Sequence, residues 1–304
     1  MRKVVIVGAG ALGCLFAVRL AEAGVPVTVV DVDRDRLAAL RRDGITLSDD
    51  SGERTVPIDA ALASEVAGPV DLVMLFTKGM HSAAAVASVA HLAGPGVYGI
   101  TLQNGIGNAE VMAEVFGPDR VLHGVTEFPA DLDGPTHVSS HGSGKIWLGG
   151  FTPAAAGAAQ QVADLLNTTS LEAAVHPNVE VAIWDKLAFN AALNSVGAVT
   201  GLTNGEVDSE PGRRLAFAIA EEVADTAEAK SIPLDRAAIR RKIEHALEHH
   251  RGHKASMLQD RLAGRPTEIE TINGAVVRAA EALGVKVPVT AALADLVRLL
   301  ELRR

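Results

Sequence analysis

A mostly apolar stretch in the second half of the chain carries three polar residues at a regular interval. Lys186, Asn190 and Asn194 recur every fourth residue, so a helix would place them in one line along one face. From Leu187 to Leu193 the other positions are apolar, which indicates a helix buried on most sides. The ammonium group and the two amides then need partners, either in a neighbouring helix or in a ligand. We favour a ligand-facing stripe, because pocket walls are mostly apolar with a few placed polar groups.

A second candidate lies near the start of the chain, where glycines follow a predicted strand. The strand at 3–7 leads into Gly8-Ala9-Gly10-Ala11-Leu12-Gly13, and a helical pattern continues to about residue 23. In this spacing the first glycine permits a tight turn, the second lets the backbone approach a pyrophosphate, and the third lets the helix pack on the strand. We therefore expect a dinucleotide to contact the backbone of Gly8, Gly10, Ala11, Leu12 and Gly13.

The end of the next predicted strand bears on which dinucleotide binds. Asp31 follows Gly13 by 18 residues, near the separation at which a carboxylate meets an adenosine ribose. A carboxylate would repel a 2′-phosphate, so Asp31 favours NAD over NADP. Arg34 and Arg36 could bind a phosphate if Asp31 turned away, and the plain alternative for Asp31 or Asp33 is a helix N-cap.

Two more polar residues follow predicted strands in this half. Lys78 comes after the strand at 70–76, and Asn104 after the strand at 97–102. Ligands of parallel sheets gather beyond the C-terminal ends of the strands, so both residues are candidates for cofactor contact. A surface cation and an Asn-Gly turn are the ordinary alternatives.

The order of predicted elements indicates the fold class. Strands alternate with helices over residues 1–168, which predicts an α/β domain with a Rossmann-type, doubly wound parallel sheet. A strand at 121–126 would continue the sheet, and 137–140 with 145–148 reads as a hairpin. Residues 169–304 are predicted to form an all-α domain, because only helical patterns follow residue 176.

Composition restricts the class of protein. The chain has 304 residues, 48% of them hydrophobic and 21% charged, which suits two globular cores. No apolar run could cross a bilayer and no cleavable signal pattern follows Arg2 and Lys3, so a cytoplasmic location is expected. A net charge of −9 argues against nucleic acid or an anionic membrane as partner. Packing explains the single cysteine, Cys14.

The helical half contains further candidates. Ser256 opens a capping-box pattern, and Glu268 would stand in the first turn of a helix predicted at 267–283. Thr267 and Glu270 would form a second capping box, which gives Glu270 a structural role. A histidine cluster is better explained as a solvated helix end than as a metal site, because no nearby acid completes a ligand set; its members are His245, His249, His250 and His253.

Taken in order, these segments resemble the ketopantoate reductase (2-dehydropantoate 2-reductase) family over nearly the whole chain. The most specific parts are four motifs: Gln103-Asn104-Gly105; Trp184-Asp185-Lys186-Leu187 with Asn190 and Asn194; Ser256-Met257-Leu258-Gln259-Asp260; and Thr267-Glu268-Ile269-Glu270 leading to Ile272-Asn273-Gly274. The resemblance implies a Rossmann domain, a helical domain, and a cleft between them in which NAD(P)H reduces the 2-keto group of a small acid.

The resemblance also implies roles for single residues. The family's proton donor matches Lys186, and Glu268 matches a glutamate that contacts substrate and cofactor. The other matched positions are the substrate-binding Asn190, Asn194 and Ser256, and the cofactor-contacting Lys78 and Asn104. A lysine suits this chemistry, because an ammonium group both stabilises the developing oxyanion and supplies the proton.

Three departures from the family pattern leave alternatives open. Val32, preceded by Asp31, stands where many members have arginine. Glu127-Phe128-Pro129 replaces small and hydroxyl residues, and Thr290 stands where asparagine is frequent.

The main hypothesis is reduction of ketopantoate to pantoate in pantothenate and coenzyme A synthesis. Asp31 and Glu127 motivate a second, an NADH-dependent D-2-hydroxyacid dehydrogenase acting on branched or aromatic 2-keto acids. The third is a noncatalytic dinucleotide-binding regulator. A homodimer of paired helical domains is a reasonable expectation.

Overall fold

The computed structural model of the chain describes residues 3–302, so Arg2 lies outside the described part. The chain forms two compact units. The sheet unit contains the chain up to Gln103 and Asn108–Val179, and the helical unit contains Asn104–Gly107 and the chain from Glu180 onward. The predicted domain boundary at residue 168 stays a prediction.

The sheet unit is built on an eight-stranded sheet within the described residues. Its order is β12-β11-β8-β7-β6-β1-β2-β5, with β1 (Val4–Val7), β2 (Val27–Val30), β5 (Asp59–Ala61), β6 (Leu72–Leu75), β7 (Tyr98–Thr101), β8 (Val121–Thr126), β11 (Ile146–Gly150) and β12 (Ala173–Val175). All neighbouring strands are parallel except β8 and β11. The prediction of a doubly wound α/β sheet is therefore confirmed.

Helices cover both faces of this sheet. They are α1 (Ala11–Glu22), α2 (Arg34–Asp43), α3 (Ser82–Ser88), α4 (Asn108–Phe116) and α5 (Ala156–Asn167). Because side chains alternate along a strand, Val4 and Ile6 of β1 pack in one core with α1 and α5, whereas Val5 and Val7 pack in another with α3 and α4. The central strands β1 and β6 are thus buried on both sides, which explains their continuous apolar runs in the sequence.

A smaller sheet corrects the predicted hairpin. It has the order β4-β3-β10-β9, with β3 (Ile45–Asp49), β4 (Gly52–Val56), β9 (Asp131–Leu132) and β10 (His137–Ser140). β10 pairs with β3 and β9, whereas β11 pairs with β8 and β12 in the main sheet. The hairpin prediction was wrong because alternation identifies a strand but not its partner.

The described residues of the helical unit form helices, turns and loops. The helices are α6 (Val179–Thr200), which begins at the last residue of the sheet unit, α7 (Asn204–Val207), α8 (Glu210–Ala229), α9 (Arg236–His249), α10 (Ser256–Leu262), α11 (Asn273–Leu283) and α12 (Pro288–Glu301). The all-α prediction is confirmed for α6 to α12, whereas residues 173–175, inside the predicted range 169–304, form β12 of the main sheet. The helix predicted from Thr267 begins only at Asn273, and turns precede it. No helix formed by residues 3–302 is long and apolar enough to cross a membrane.

Candidate active site

The glycine turn between β1 and α1 has the local geometry that its spacing predicts. Gly8 has a φ of 108°, and a Cβ there would lie 2.7 Å from the Thr77 nitrogen. A Cβ on Gly13 would lie 2.0 Å from the Gly8 oxygen, so helix and turn approach each other as only glycine permits. These two glycines are therefore explained by packing inside the protein.

Gly10 has no such internal explanation. Its φ of −73° suits any residue, and the nearest atom to a Cβ there would be the Phe76 oxygen, 3.9 Å away. Gly10 is the N-cap residue of α1, so its backbone stands where a helix N-terminus can accept an anion. A bound pyrophosphate accounts for the missing side chain, because the backbone must approach it closely. The turn thus fits a dinucleotide.

The Asp31 carboxylate is held by backbone amides. It accepts hydrogen bonds from the nitrogen atoms of Ala9 (2.7 Å), Val32 (2.8 Å) and Asp33 (3.1 Å). The first of these bonds ties Asp31 to the glycine turn, and the other two fix its own loop. Asp31 therefore lies beside the turn with its orientation set. The N-cap alternative applies instead to Asp33, whose side chain accepts from the Arg36 nitrogen at 3.0 Å.

The two arginines after Asp31 differ in their surroundings. Arg34 is exposed, whereas Arg36 is half-buried beside Cys14. Nε and Nη2 of Arg36 are buried and have no hydrogen-bond partner among the described residues. Cys14 lies fully inside the core, and its burial raises the thiol pKa to about 11. The thiol is therefore protonated at neutral pH, and packing explains it, as predicted.

Lys78 follows β6 in a loop that buried polar groups organise. The lysine is half-buried and precedes a short 3₁₀ turn. Behind the loop, the Gln103 side chain donates to the Thr77 backbone oxygen and to the Ser82 hydroxyl (3.0 Å), and its own oxygen accepts from Thr101 (2.7 Å). The sequence analysis did not predict that Gln103 holds this loop, although Gln103 belongs to the motif Gln103-Asn104-Gly105.

The polar stripe predicted in the helical unit lies on α6. Lys186 and Asn190 are half-buried, Asn194 is buried, and apolar residues such as Trp184 fill the rest of the helix. Asp185 points elsewhere and pairs with Lys242 of α9. The helix and the spacing of its stripe agree with the prediction.

Asn190 begins a chain of polar contacts within the helical unit. Its amide nitrogen donates to the Asn104 oxygen at 3.4 Å, and the Asn104 nitrogen donates to the Glu268 carboxylate at 3.5 Å. Asn104 was predicted to contact the cofactor; in its own unit it joins Asn190 to Glu268. We call these three residues the amide–carboxylate chain. Both distances exceed the usual range of about 2.7–3.2 Å, so each contact is a weak hydrogen bond.

Gly105 holds Asn104 in that position. Its φ is 84°, and a Cβ there would lie 2.1 Å from the Thr271 oxygen. The next residue donates to the same oxygen, with Ile106 nitrogen at 3.0 Å. The Asn-Gly dipeptide is thus a turn, but a turn that anchors Asn104 beside the segment containing Glu268.

Asn194, one helical turn beyond Asn190, holds the start of α10. Its oxygen accepts from the Ser256 hydroxyl at 3.1 Å and from the Met257 nitrogen at 3.3 Å. The predicted capping box of Ser256 is wrong, because Ala255 is the N-cap residue and Gln259 donates to the Lys254 oxygen. Ser256 is exposed, so its hydroxyl remains accessible beside Asn194.

The segment before α11 is held by α12 rather than by a capping box. Glu270 accepts from Arg298 at 2.7 and 3.0 Å, and Glu301 accepts from the Thr267 nitrogen at 2.7 Å. These bonds flank Glu268, and we call them the α12 brace. The capping box predicted for Thr267 and Glu270 was wrong, because arginines bind the Glu270 carboxylate and lower its pKa.

Two buried polar groups were not identified as candidates from the sequence. Asn273 donates to the Ala191 oxygen at 3.1 Å, but its own oxygen is buried and has no hydrogen-bond partner among residues 3–302. The Thr290 hydroxyl is likewise buried and has no hydrogen-bond partner among these residues. Asn273 belongs to the motif Ile272-Asn273-Gly274, and this membership was its one signal in the sequence.

Other candidates lie apart from these contacts. Glu127 is exposed at the end of β8. The rings of His245 and His249 stack 4.4 Å apart on the exposed end of α9. Over residues 3–302, no group of three or more His, Cys, Asp or Glu side chains is placed to hold a metal ion.

Comparison with known proteins decides the family. A model described as "Ketopantoate reductase PanE/ApbA" matches residues 4–153, and one described as "Ketopantoate reductase PanE/ApbA C terminal" matches residues 178–301. The chain belongs to the ketopantoate reductase family. The predicted membership and oxidoreductase class are thereby confirmed.

Relatives of this ketopantoate reductase family member align over nearly their full length. The 2-dehydropantoate 2-reductase of Streptococcus pyogenes serotype M1 is 31% identical over 97% of this chain and 96% of that protein. The enzyme of Archaeoglobus fulgidus is 33% identical over 98% and 97%. Among solved structures, D-mandelate dehydrogenase with NADH and anilino(oxo)acetate has a TM-score of 0.95, with 28% identity over 99% of both chains. The 2-dehydropantoate 2-reductase of Geobacter metallireducens has a TM-score of 0.92, with 28% identity over 98% and 99%.

Proposed function

We propose that the chain reduces a small 2-keto acid to the 2-hydroxy acid with NAD(P)H, and that its substrate is 2-dehydropantoate. The observation that carries the proposal is the amide–carboxylate chain, which starts on α6 at Asn190, one helical turn from Lys186, and reaches Glu268 through Asn104. The curated relatives named 2-dehydropantoate 2-reductase support this substrate. Pantoate for pantothenate and coenzyme A synthesis would be the product.

In this proposal the residues of the helical unit manage charge and protons. A bound nicotinamide supplies the hydride. Negative charge develops on the carbonyl oxygen of the keto acid as the hydride arrives, and Lys186 stabilises that charge and donates the proton. Asn190 and Asn194 hold substrate oxygens, and Ser256 binds the carboxylate. Glu268 orients the substrate together with Asn104.

The sheet unit would bind the dinucleotide through the glycine turn and Asp31, with Lys78 as a further contact. Three backbone hydrogen bonds hold Asp31, so turning it away to admit a 2′-phosphate would break all three. This favours NADH over NADPH as the reductant. NADH in the D-mandelate dehydrogenase relative supports the same preference.

A second candidate function shares this chemistry. The D-mandelate dehydrogenase relative and the exposed Glu127 favour an NADH-dependent D-2-hydroxyacid dehydrogenase that acts on branched or aromatic 2-keto acids. Either enzyme would be expected as a homodimer, and a distant relative at 20% identity bears the description dimeric.

A panel of substrates and cofactors tests both proposals. Steady-state turnover is measured for 2-dehydropantoate, 2-ketoisovalerate and benzoylformate, each with NADH and with NADPH. The main proposal expects the highest kcat/KM for 2-dehydropantoate, and higher kcat/KM with NADH than with NADPH. Highest kcat/KM for benzoylformate or 2-ketoisovalerate would favour the second function. No turnover of any of them would contradict the proposed reaction.

A further inference from the structure

The helical unit contains a cavity of about 180 Å³ that the proposed reaction does not use. Its walls include Ala198, Arg261, Thr267, Val297, Leu300 and Glu301. Ala198 stands 12 residues after Lys186 on α6, or roughly 18 Å along the helix at 1.5 Å per residue. Arg261 likewise stands in the last turn of α10, whose first residue is Ser256. The cavity therefore lies one helical turn beyond Asn194 on α6 and about three turns beyond Lys186.

The charges on the cavity wall are of opposite sign. Arg261 donates through Nη1 to the Ala198 backbone oxygen, which fixes the guanidinium group at the cavity. On α12, the Glu301 carboxylate accepts from the Thr267 nitrogen at 2.7 Å. Both groups are thus held by backbone atoms. A guanidinium group suits a carboxylate, and a carboxylate suits an ammonium group.

The rest of the wall is largely apolar. Ala198 and Val297 are buried, and Leu300 is half-buried. This surface suits an aliphatic side chain, because binding would remove apolar area from water. The cavity volume of about 180 Å³ is well above the roughly 10–15 Å³ that a single water molecule needs, which leaves room for a small metabolite.

We propose that this cavity binds a small aliphatic α-amino acid as a zwitterion. The carboxylate of the ligand lies against Arg261, its ammonium group against Glu301, and its side chain against Val297 and Leu300. A simple carboxylic acid satisfies Arg261 but meets the like charge of Glu301. A simple amine satisfies Glu301 but meets the like charge of Arg261. The opposite charges thus select a ligand that carries both.

Three ligands that share an isobutyl carbon skeleton test this selection. Isothermal titration calorimetry of the full chain is carried out with L-valine, isovalerate, which lacks the ammonium group, and isobutylamine, which lacks the carboxylate. We expect valine to bind at millimolar concentration or below. We expect the other two to bind about tenfold or more weakly, because each loses a charge-assisted hydrogen bond. Absence of valine binding would overturn the proposal, as would equal binding of all three.

Substitutions locate the bound molecule. Arg261→Gln and Glu301→Gln should each weaken valine binding about tenfold or more, whereas Arg214→Gln, on the exposed part of α8, should leave it unchanged. Glutamine retains an acceptor for the Thr267 nitrogen, and unchanged melting temperatures would show that the variants fold. Valine could instead bind in the candidate active site. Binding that survives Arg261→Gln but is lost in Ser256→Ala would place it there and refute the cavity site.

Discussion

Glu268 and Glu270 stand two residues apart in one turn, yet they have different kinds of partners. Glu268 accepts a hydrogen bond from the neutral Asn104 amide. Glu270 accepts from the guanidinium groups of Arg298 and Arg278, at 2.7 to 3.1 Å. Paired arginines keep Glu270 ionised and fixed, and the Asn104 amide orients Glu268. We therefore expect Glu270 to serve the fold, and we propose that Glu268 contacts a ligand.

The sheet unit contains the same two kinds of carboxylate. Asp49 is buried between Arg19 (2.6 Å) and Arg54 (2.9 Å). Asp31 is held by backbone amides beside the glycine turn. We therefore expect changes at the arginine-paired carboxylates, Asp49 and Glu270, to lower stability. Changes at Asp31, Glu268 or Lys186 should instead lower turnover.

The largest effect is expected for Lys186→Ala. Loss of a positioned proton donor should lower kcat by about a hundredfold or more. Lys242→Ala is the matched control. Lys242 is an exposed lysine of α9 that pairs with Asp185, the neighbour of Lys186 on α6. Steady-state kinetics with 2-dehydropantoate should show near-normal kcat for the control. Equal kcat for Lys186→Ala and wild type would exclude the lysine from the proton transfer.

Asp49→Asn is expected to have the next largest effect, on stability. The hydrogen bond from Arg54 is the main reason that the Asp49 pKa falls to about 2. A pKa lowered in the folded state adds stability above the unfolded pKa of about 4, and this contribution is lost as pH falls toward 2. The substitution should therefore lower the free energy of unfolding by about 2 kcal/mol at pH 7.

Urea denaturation between pH 7 and pH 2 checks this prediction. The difference between wild type and Asp49→Asn should shrink as the pH falls below about 4. Asp43→Asn is the control, because Asp43 pairs with Arg42 on the exposed surface, and no change in stability is expected. A difference that stays constant with pH would show that the charge of Asp49 is not what stabilises the sheet unit.

Local patterns in the sequence predicted the parts of the site that depend on neighbouring residues. The glycine turn follows directly from its spacing, and the stripe of Lys186, Asn190 and Asn194 follows from helical periodicity. Residues spaced four apart lie along one face of a helix, whatever packs against that helix. Because such features are set within a few residues, they could be identified without any knowledge of the fold.

Contacts between distant segments could not be predicted in this way. A capping box was expected for Glu270, but its partner Arg298 lies 28 residues further along the chain. The turns that replace the first part of the predicted helix are likewise held by Glu301, 34 residues after Thr267. The wrong pairing of β10 has the same origin. In each case the choice of partner is made by tertiary packing, which local propensity does not encode.

A moderate effect on turnover is expected for Glu268→Gln. Glutamine keeps the length of the side chain and one oxygen for Asn104, but it removes the charge. We expect kcat/KM to fall about tenfold or more, the scale of one charge-assisted hydrogen bond, with an unchanged melting temperature. Steady-state kinetics and thermal denaturation of the same preparation measure both. Lower stability with full kcat/KM would assign Glu268 a structural role and remove its difference from Glu270.

The smallest effect is expected for Glu270→Gln, which provides the direct counterpart. Its arginine partners are partly exposed, so the free energy of unfolding should fall by no more than about 1 kcal/mol. The Thr267 nitrogen keeps its bond to Glu301, so half of the α12 brace persists and kcat/KM should change less than about threefold. The same two measurements apply. If kcat/KM fell as far as in Glu268→Gln, the two carboxylates would act as one unit, because α12 would then set the position of Glu268 through Glu270.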